Sequence, residues 1–320
     1  MSDALDFIVI GAGFSGVEAA YTLDRAGARF AVLEARDRIG GRAYTTPLDG
    51  TKTYVDLGGQ WVGPTQDALL EMLGELGIET FKTHTEGKSI LALGEKVRSY
   101  AGTIPKLNPL SLIELGLVMN RLERMARAVN LERPWETPDA DRLDSTTLAT
   151  FLDAKMRTRA ARAVIDAGLE TVFACTAGEI SLLHALFYIK SGTSLECLIS
   201  TEGGAQEERV VGGMQPLAEA LAAPLGERVL LGHVVRAIEQ DARGVTVRFT
   251  DGRTREASRV IVAIPPTLAG RIEYSPSLPA RRDQLTQRMP MGTVIKTIAI
   301  YERPFWRERG LSGQAVFEDG

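Results

Sequence analysis

The sequence has few of the residues that build disulfide frameworks, metal sites or histidine-based catalytic centres. Its two cysteines, Cys175 and Cys197, form no CxxC pair, and its three histidines, His84, His184 and His233, are scattered along the chain. So few cysteines favour reduced thiols and a cytoplasmic location. We interpret the histidines as structural, and we predict neither a metal site nor a catalytic triad.

Long apolar runs and an excess of basic residues are also absent. The first apolar run covers only residues 7–10, after an acidic start, and is too short for a secretory signal. No segment is apolar enough to cross a membrane. With 37 Lys and Arg against 41 Asp and Glu, the net charge is −4, so we expect no nucleic-acid partner. The 320 residues suit one large or two ordinary globular domains.

What the sequence does contain begins with a strand–helix–strand pattern. Residues 7–10 and 30–33 are short, buried-type strands, and residues 14–26 have the apolar spacing of a helix that Gly27 ends. Three such elements within about 30 residues are typical of a βαβ unit. The pattern therefore predicts a parallel sheet at the start of an α/β fold.

The turn between the first strand and the helix matches the dinucleotide motif G-x-G-x-x-G. Gly11 would form the tight turn, Gly13 would let a pyrophosphate approach the backbone, and Gly16 would let helix and strand pack closely. The helix start at Phe14 and Ser15 would offer free N–H groups to phosphate oxygens. The motif predicts a nucleotide cofactor.

The residues after the second strand narrow the choice of cofactor. Glu34 is placed to accept both ribose hydroxyls of an adenosine, with Ala35 beside it, and an acidic residue here disfavours NADP. NAD and FAD both remain at this point. Arg36 and the run Arg38-Ile-Gly-Gly-Arg42, including Gly41 and Arg42, bring guanidinium groups and close backbone approach, which favour FAD.

The remaining pattern is nested. Helical periodicity covers residues 67–76, 109–129, 146–156, 159–173, 181–190 and 214–225, and strands are expected within 228–239 and over 245–249, 259–264 and 294–301, with a hairpin turn at Asp251-Gly252. We therefore predict a discontinuous Rossmann-like cofactor domain over 1–80 and 205–285. A substrate domain, mainly helical with some β structure, is predicted over 81–204 and 286–320.

Six motifs occur in the order seen in one enzyme family. They are GAGFSG, LEARDRIGGR, DLGGQWVGPTQ, ERVVGGM, VAIPP and MGTVIKT. Over essentially its whole length the chain resembles the flavin-containing amine oxidases, a group that includes monoamine oxidases and bacterial putrescine oxidases. The resemblance implies FAD and the FAD-binding fold of that family. It also implies further cofactor contacts at Gly58, Gly59, Gln60, Trp61, Val235 and Pro265.

The resemblance implies a reaction as well. A primary amine, either a monoamine or a putrescine-like diamine, would be oxidised to an imine and then an aldehyde, with release of ammonia and reduction of O2 to hydrogen peroxide. Lys296, inside the expected strand 294–301, matches a lysine that holds a water near the flavin and assists its reoxidation. The family would line its substrate cavity with Thr171, Val172, Leu198, Ile199 and Gln206. The resemblance leaves a homodimer open.

Other interpretations stay open. An L-amino-acid oxidase would need an arginine shortly after Gly59, and none is there; a polyamine oxidase, a nicotine-type oxidase and a truncated, non-catalytic flavoprotein are further alternatives. Family members continue beyond Gly320, with an aromatic pair around the amine and, in some, a cysteine bound to FAD. The acidic cluster near the cavity favours a solvated face over a diamine site; it comprises Glu196, Glu202, Glu207 and Glu208.

Overall fold

A computed structural model describes residues 5–48, 53–102 and 105–317. Its α-helices are α1 (Phe14–Arg25), α2 (Asp67–Leu76), α3 (Pro109–Arg127), α4 (Ala140–Asp144), α5 (Leu148–Lys155), α6 (Arg159–Phe173), α7 (Leu182–Ser191), α8 (Leu195–Ile199), α9 (Met214–Ala222), α10 (Pro266–Ala269) and α11 (Ala280–Arg288). Its strands are β1 (Leu5–Ile10), β2 (Phe30–Leu33), β3 (Thr45–Pro47), β4 (Tyr54–Asp56), β5 (Trp61–Val62), β6 (Thr80–Lys82), β7 (Lys88–Leu93), β8 (Lys96–Tyr100), β9 (Glu208–Val210), β10 (Val229–Leu230), β11 (Val235–Asp241), β12 (Gly244–Phe249), β13 (Thr254–Val262), β14 (Glu273–Ser275) and β15 (Leu311–Phe317).

The chain folds into two compact units, each built from separate stretches of sequence. The first unit contains the chain up to Gln60 together with Glu71–Phe81 and Arg209–Met291. The second contains Trp61–Leu70, Lys82–Glu208 and the chain from Gly292 onward. The expected boundaries gave residues 61–70 to the cofactor domain, whereas these residues lie in the second unit.

The first unit is organised around a seven-stranded sheet in the order β10-β2-β1-β13-β12-β11-β14. The four strands β10, β2, β1 and β13 run parallel to one another, which confirms the predicted α/β class. Strands β12 and β13 form the predicted antiparallel hairpin. Strand β13 begins at Thr254, earlier than the sequence pattern indicates, because the hairpin pairing starts close to its turn.

Alternating side chains of β1 supply two separate cores of the first unit. Val9 packs with Val17 and Ala20 of α1 and with Leu221 of α9 on one face of the sheet. Ile8 and Ile10 face the other side, where they join β11, β12 and β13. A strand that is buried on both faces is typical of parallel sheets, and this burial explains the unbroken apolar run at residues 7–10.

The second unit has a helical core formed by α3 to α8. Helix α3 begins with Pro109, and the side chain of Asn108 accepts a hydrogen bond of 2.9 Å from the N–H of Ser111, an N-cap. Glu114 of α3 accepts hydrogen bonds from both the N–H and the hydroxyl of Thr158, and the bond from the hydroxyl lowers the pKa of Glu114. No helix in the described ranges is long and apolar enough to span a bilayer.

The second unit also contains a three-stranded sheet, in the order β15-β7-β8, that the sequence analysis did not predict. Strands β7 and β8 are antiparallel, with Leu93 opposite Lys96 across a two-residue turn. Strand β15 pairs in parallel with β7. This sheet places residues 312–314 beside residues 88–90, and one wall of a pocket described below comes from it.

The strand expected over residues 294–301 is wrong. These residues have no regular secondary structure, and their side chains are exposed: Val294 is 67% exposed, Ile295 89% and Ile300 62%. A strand requires a neighbour that accepts its backbone hydrogen bonds, and none of the described strands pairs with this segment. Lys296 therefore lies in an irregular, exposed segment rather than in a buried strand.

Candidate active site

The glycine-rich turn has the geometry that its sequence predicts. Gly11 has φ = +102°, and a Cβ there would lie 2.7 Å from the carbonyl oxygen of Ala263. A Cβ on Gly16 would lie 1.8 Å from the carbonyl oxygen of Gly11, so only glycine lets α1 pack this closely on the turn. Gly13 is different, because its backbone is extended and a Cβ there would meet only the Cα of Gly41, at 3.7 Å.

The first turn of α1 offers a donor that the described part of the protein does not use. Gly13 precedes the helix without a side-chain cap. The N–H groups of Gly16 and Val17 donate to the carbonyl of Gly13. The N–H of Phe14 faces the Gly40 carbonyl in an isolated parallel bridge, whereas that of Ser15 has no acceptor among the described residues. Free N–H groups at a helix start attract phosphate oxygens.

Glu34 is buried at the carboxyl end of β2, with 8% of its surface exposed. One carboxylate oxygen accepts the N–H of Ala12 at 2.7 Å, and the other accepts the N–H of Arg36 at 2.9 Å. Each oxygen keeps a second lone pair for a further donor. The two backbone bonds hold the carboxylate fixed beside the turn, where the two hydroxyls of a ribose would donate to it.

The three arginines after β2 have different environments. Arg38 binds its own loop: its guanidinium donates to the carbonyl of Gly41 at 2.8 Å and lies 4.1 Å from the ring centre of Tyr44. Arg36 donates to the same carbonyl at 3.1 Å but remains exposed. The side chain of Arg42 is exposed and makes no hydrogen bond or ion pair with the described residues. Arg38 therefore shapes the loop, whereas the guanidiniums of Arg36 and Arg42 stay exposed.

The other expected cofactor residues of the first unit either are close to the glycine-rich turn in sequence or belong to segments whose backbone contacts that region. Gly58 packs on the Arg42 backbone so closely that a Cβ would lie 1.8 Å from the Arg42 carbonyl oxygen. Val235 follows His233, whose N–H donates to the Glu34 carbonyl at 2.8 Å. Pro265 follows Ala263, which covers Gly11. The remaining members are Ala35, Gly41, Gly59 and Gln60; Ala35 and Gly59 are exposed and the other two are half-buried.

The second unit contains a pocket of about 320 Å³, within the range typical of small-molecule sites. It brings together two residues that the resemblance singled out, Trp61 and Gln206. The side-chain amide of Gln206 donates to the Leu198 carbonyl at 3.3 Å. We name this cavity the Trp61 pocket; its other lining residues are Thr83, His84, Thr201, Trp306, Arg307, Ser312, Gly313 and Gln314.

The other expected cavity residues do not join this pocket. Ile199 lines a separate apolar cavity of about 40 Å³, which is far below the size typical of small-molecule sites. Leu198 is a buried core residue. Its side chain packs so closely on Gly192 that a Cβ on Gly192 would lie 2.4 Å from a Leu198 methyl carbon. Val172 packs on the helical core, and Thr171 is exposed with its hydroxyl bonded to the Ala167 carbonyl at 2.7 Å.

The comparisons with known proteins decide the family. Residues 14–319 match the family model of flavin-containing amine oxidoreductases. The chain belongs to this family. It is a FAD-dependent amine oxidoreductase, as the resemblance predicted.

Individual amine oxidases match over nearly the whole chain. AofH of Mycobacterium tuberculosis, which is named as a flavin-containing monoamine oxidase, is 41% identical and aligns with 98% of this chain and 69% of its own length. A putrescine oxidase variant superposes with a TM-score of 0.93 at 37% identity, covering 98% of this chain and 70% of that one. Cyclohexylamine oxidase from Brevibacterium oxydans has a TM-score of 0.91 at 30% identity, covering 99% of this chain and 70% of its own.

The first unit of this amine oxidase fits the adenosine and pyrophosphate part of FAD. Gly13 has no side chain to meet a pyrophosphate, and the free N–H group of Ser15 lies next to it. The fixed carboxylate of Glu34 suits the ribose, and the exposed guanidinium of Arg42 suits a phosphate.

Sequence reasoning missed part of the Trp61 pocket. We interpreted His84 as structural, yet it lines the pocket, and its Nε2 is buried without a hydrogen-bond partner among the described residues. Trp306 and Arg307 were not predicted as pocket residues. They directly precede β15, and no local sequence pattern predicts the pairing of β15 with β7 that brings this segment to the pocket. An isolated histidine beside a threonine gives no signal until the fold encloses it.

Proposed function

We propose that this chain oxidises a primary amine to an imine, which water hydrolyses to an aldehyde and ammonia, while O2 is reduced to hydrogen peroxide. FAD, when bound, supplies the two-electron acceptor, and the protein supplies binding, orientation and electrostatics. The observation that carries the proposal is the open cofactor cradle at Gly13 and Glu34 in a chain of the amine oxidase family. The homodimer and the cytoplasmic location also stay predictions.

In this proposal each part of the cradle has a separate task. Glu34 accepts the ribose hydroxyls, the start of α1 and Arg42 bind the pyrophosphate, and Gly58, Gly59 and Gln60 run beside the ring system. The Trp61 pocket receives the amine substrate, with Gln206 as a polar contact. The proposed reaction requires no acid–base dyad or nucleophile from the protein. The protein contributes mainly by positioning the substrate and by the shape of the site.

A peroxide-coupled assay tests this function. We expect FAD to bind in a one-to-one ratio, and at least one of benzylamine, tyramine, putrescine and spermidine to produce peroxide, aldehyde and ammonia in equal amounts. Turnover of an L-amino acid alone would favour the amino-acid oxidase alternative. Bound FAD with no turnover of any amine would contradict the proposal and favour a non-catalytic flavoprotein.

Lys296 is proposed to orient a water and to assist the reduction of O2. The support for this role is the MGTVIKT motif, since Lys296 is exposed and is not among the residues that line the Trp61 pocket. We expect Lys296→Met to slow reoxidation of the reduced enzyme about a hundredfold, because a positioned charge or proton donor contributes on this order. Stopped-flow mixing of reduced enzyme with O2 measures the rate.

The matched control is Lys96→Met, because Lys96 is an exposed lysine in β8. It should leave the rate of reoxidation unchanged. If Lys296→Met reoxidises as fast as the parent enzyme and the Lys96→Met variant, Lys296 has no part in the oxygen step, although amine oxidation itself would still stand.

A further inference from the structure

The Trp61 pocket has an unusual balance of charge for an amine site. Arg307 contributes a guanidinium to its lining, and no Asp or Glu is among the lining residues. The side chain of Arg307 makes no hydrogen bond or ion pair with the described residues. A positively charged lining repels a second ammonium group, so it selects against diamines.

Two more polar groups, on residues that line the pocket, lack partners. Thr83 Oγ1 and His84 Nε2 are buried, and neither makes a hydrogen bond within the described part of the chain. Buried polar atoms are normally satisfied, so an unsatisfied pair in one pocket indicates a missing acceptor or donor. A hydroxyl, an imidazole nitrogen and a guanidinium can all donate to the same anionic group.

None of the four glutamates of the acidic cluster is among the residues that line the pocket. Glu207 forms an ion pair of 3.2 Å with Lys82. Glu196 and Glu202 are exposed, and neither lines the pocket. The structure therefore favours the solvated-face interpretation of this acidic cluster over a diamine site.

The walls of the pocket suit a flat molecule. Trp61 and Trp306 contribute indole rings to the lining. Trp306 rests on Gly313, where a Cβ would lie 2.7 Å from the indole nitrogen, and it has edge-to-face contacts with Tyr301 and Phe305. These contacts hold the Trp306 ring in one orientation, and aromatic rings stack well on such a surface.

We propose that the Trp61 pocket binds a carboxylate carried by the amine substrate, so that the preferred substrates are flat amines with an acid group at the end opposite the amino group. This inference rests on the proposed function and deepens it. Arg307, Thr83 and His84 donate to the carboxylate, and the two indoles flank the ring. The amino group lies outside this lining, because the lining offers it no counter-charge.

Three compounds of the same shape test the proposal. They are para-(aminomethyl)benzoate, benzylamine and para-xylylenediamine, which carry a carboxylate, a hydrogen and a second aminomethyl group, respectively, at the ring position para to the first aminomethyl group. Tryptophan fluorescence reports binding, since two of the three tryptophans line the pocket and Trp135 is 70% exposed elsewhere. We expect the carboxylate compound to bind at least about tenfold more tightly than either amine.

Variants identify the residue responsible. Arg307→Gln should weaken binding of the carboxylate compound about tenfold or more, while Arg309→Gln, which changes an arginine outside the lining, should leave it unchanged. Equal affinities for the three compounds, tighter binding of para-xylylenediamine, or no effect of Arg307→Gln would each overturn the proposal.

An amine-free ligand separates this proposal from the proposed function. Para-toluate has the ring and carboxylate but no amino group, so its binding requires no oxidation. Arginine-dependent binding of para-toluate in a chain that oxidises no amine would refute the oxidase function and leave the carboxylate site standing. Peroxide production from benzylamine without any Arg307-dependent binding of para-toluate would refute the carboxylate site and leave the oxidase function standing.

Discussion

Replacing Gly16 with alanine is expected to destabilise the first unit by about 3 kcal/mol or more, because overpacking at a backbone contact cannot relax by a rotamer change. The added Cβ would lie 1.8 Å from the carbonyl oxygen of Gly11 and 3.4 Å from the side chain of Ala263. Helix α1 would have to move away from β1 and lose its contacts with the sheet. Urea unfolding followed by circular dichroism measures the loss.

Gly13→Ala is the informative partner of this variant. Gly13 has φ = −76°, which suits any residue, and its Cβ would meet only the Cα of Gly41 at an ordinary 3.7 Å. The apoprotein should keep its stability, whereas the methyl group would occupy the space we assign to the pyrophosphate. We expect FAD to bind at least about tenfold more weakly, equivalent to about 1.4 kcal/mol, in a fluorescence titration.

Gly74→Ala supplies the control for both variants. Gly74 lies within α2, and a Cβ there would meet nothing within 4 Å. Alanine is the better helix former, so this change should stabilise the protein by about 0.5–1 kcal/mol. FAD affinity that is unchanged in Gly13→Ala would contradict the placement of the pyrophosphate, and normal stability in Gly16→Ala would contradict the packing described for the turn.

Asp56→Ala is expected to cost about 3–5 kcal/mol, since it breaks a buried charged network. Asp56 is 1% exposed, and one of its oxygens accepts the hydroxyl of Thr45 at 2.6 Å and the N–H of Met214 at 3.0 Å. Its other oxygen lies 3.4 Å from the guanidinium of Arg209. The carboxylate thus joins the β3–β4 hairpin to the start of α9.

The same network extends to the cofactor loop. Gln215 exchanges two hydrogen bonds with Thr45, and its side chain packs under Gly40. Loss of the Asp56 carboxylate should therefore weaken FAD binding as well as stability, through the position of residues 40–42. Both effects are measured on the same preparation, by urea unfolding and by FAD titration.

Two further variants check the source of the Asp56 effect. Asp56→Asn keeps the shape and one acceptor oxygen, so it should lose less stability than Asp56→Ala. Asp251→Ala removes an exposed aspartate that pairs with Arg253 on the surface, and it should change stability by no more than about 0.5 kcal/mol. Equal losses of unfolding free energy in Asp56→Ala and Asp251→Ala would show that the buried network stabilises the protein no more than an exposed ion pair does.

Much of the first unit could be predicted because its signals are local. The run at residues 7–10, the glycine turn and the spacing of α1 each reflect contacts made within about 30 residues, and the structure reproduces them. Helices α2 and α6 begin and end at the residues that the pattern indicates, because the apolar face of each helix repeats with the helical period. The hairpin turn at Asp251-Gly252 has a specific sequence signal as well.

The elements that were predicted wrongly or not at all depend on contacts with residues distant in sequence. An apolar, β-branched run such as 294–301 looks like a strand, but only the presence of a neighbouring strand decides whether it becomes one. Strands β7 and β8 were missed although Gly94-Glu95 forms a two-residue turn with a positive φ at Gly94. The importance of Asp56 could not be predicted, because it depends on burial of the carboxylate against Thr45 and the start of α9. No local sequence pattern shows these contacts, and α9 is far from Asp56 in sequence.

The pairing of β1 with β13 also has a consequence for biosynthesis. Leu5 is opposite Ala257 in this sheet, a separation of 252 residues. At a typical elongation rate of about 5–20 residues per second, β1 leaves the ribosome roughly ten to fifty seconds before its neighbour has been translated. During that interval one edge of the nascent β1–β2 pair stays open to other strands. Protection of the open β1 edge until β13 is made would therefore limit mispairing of the nascent chain.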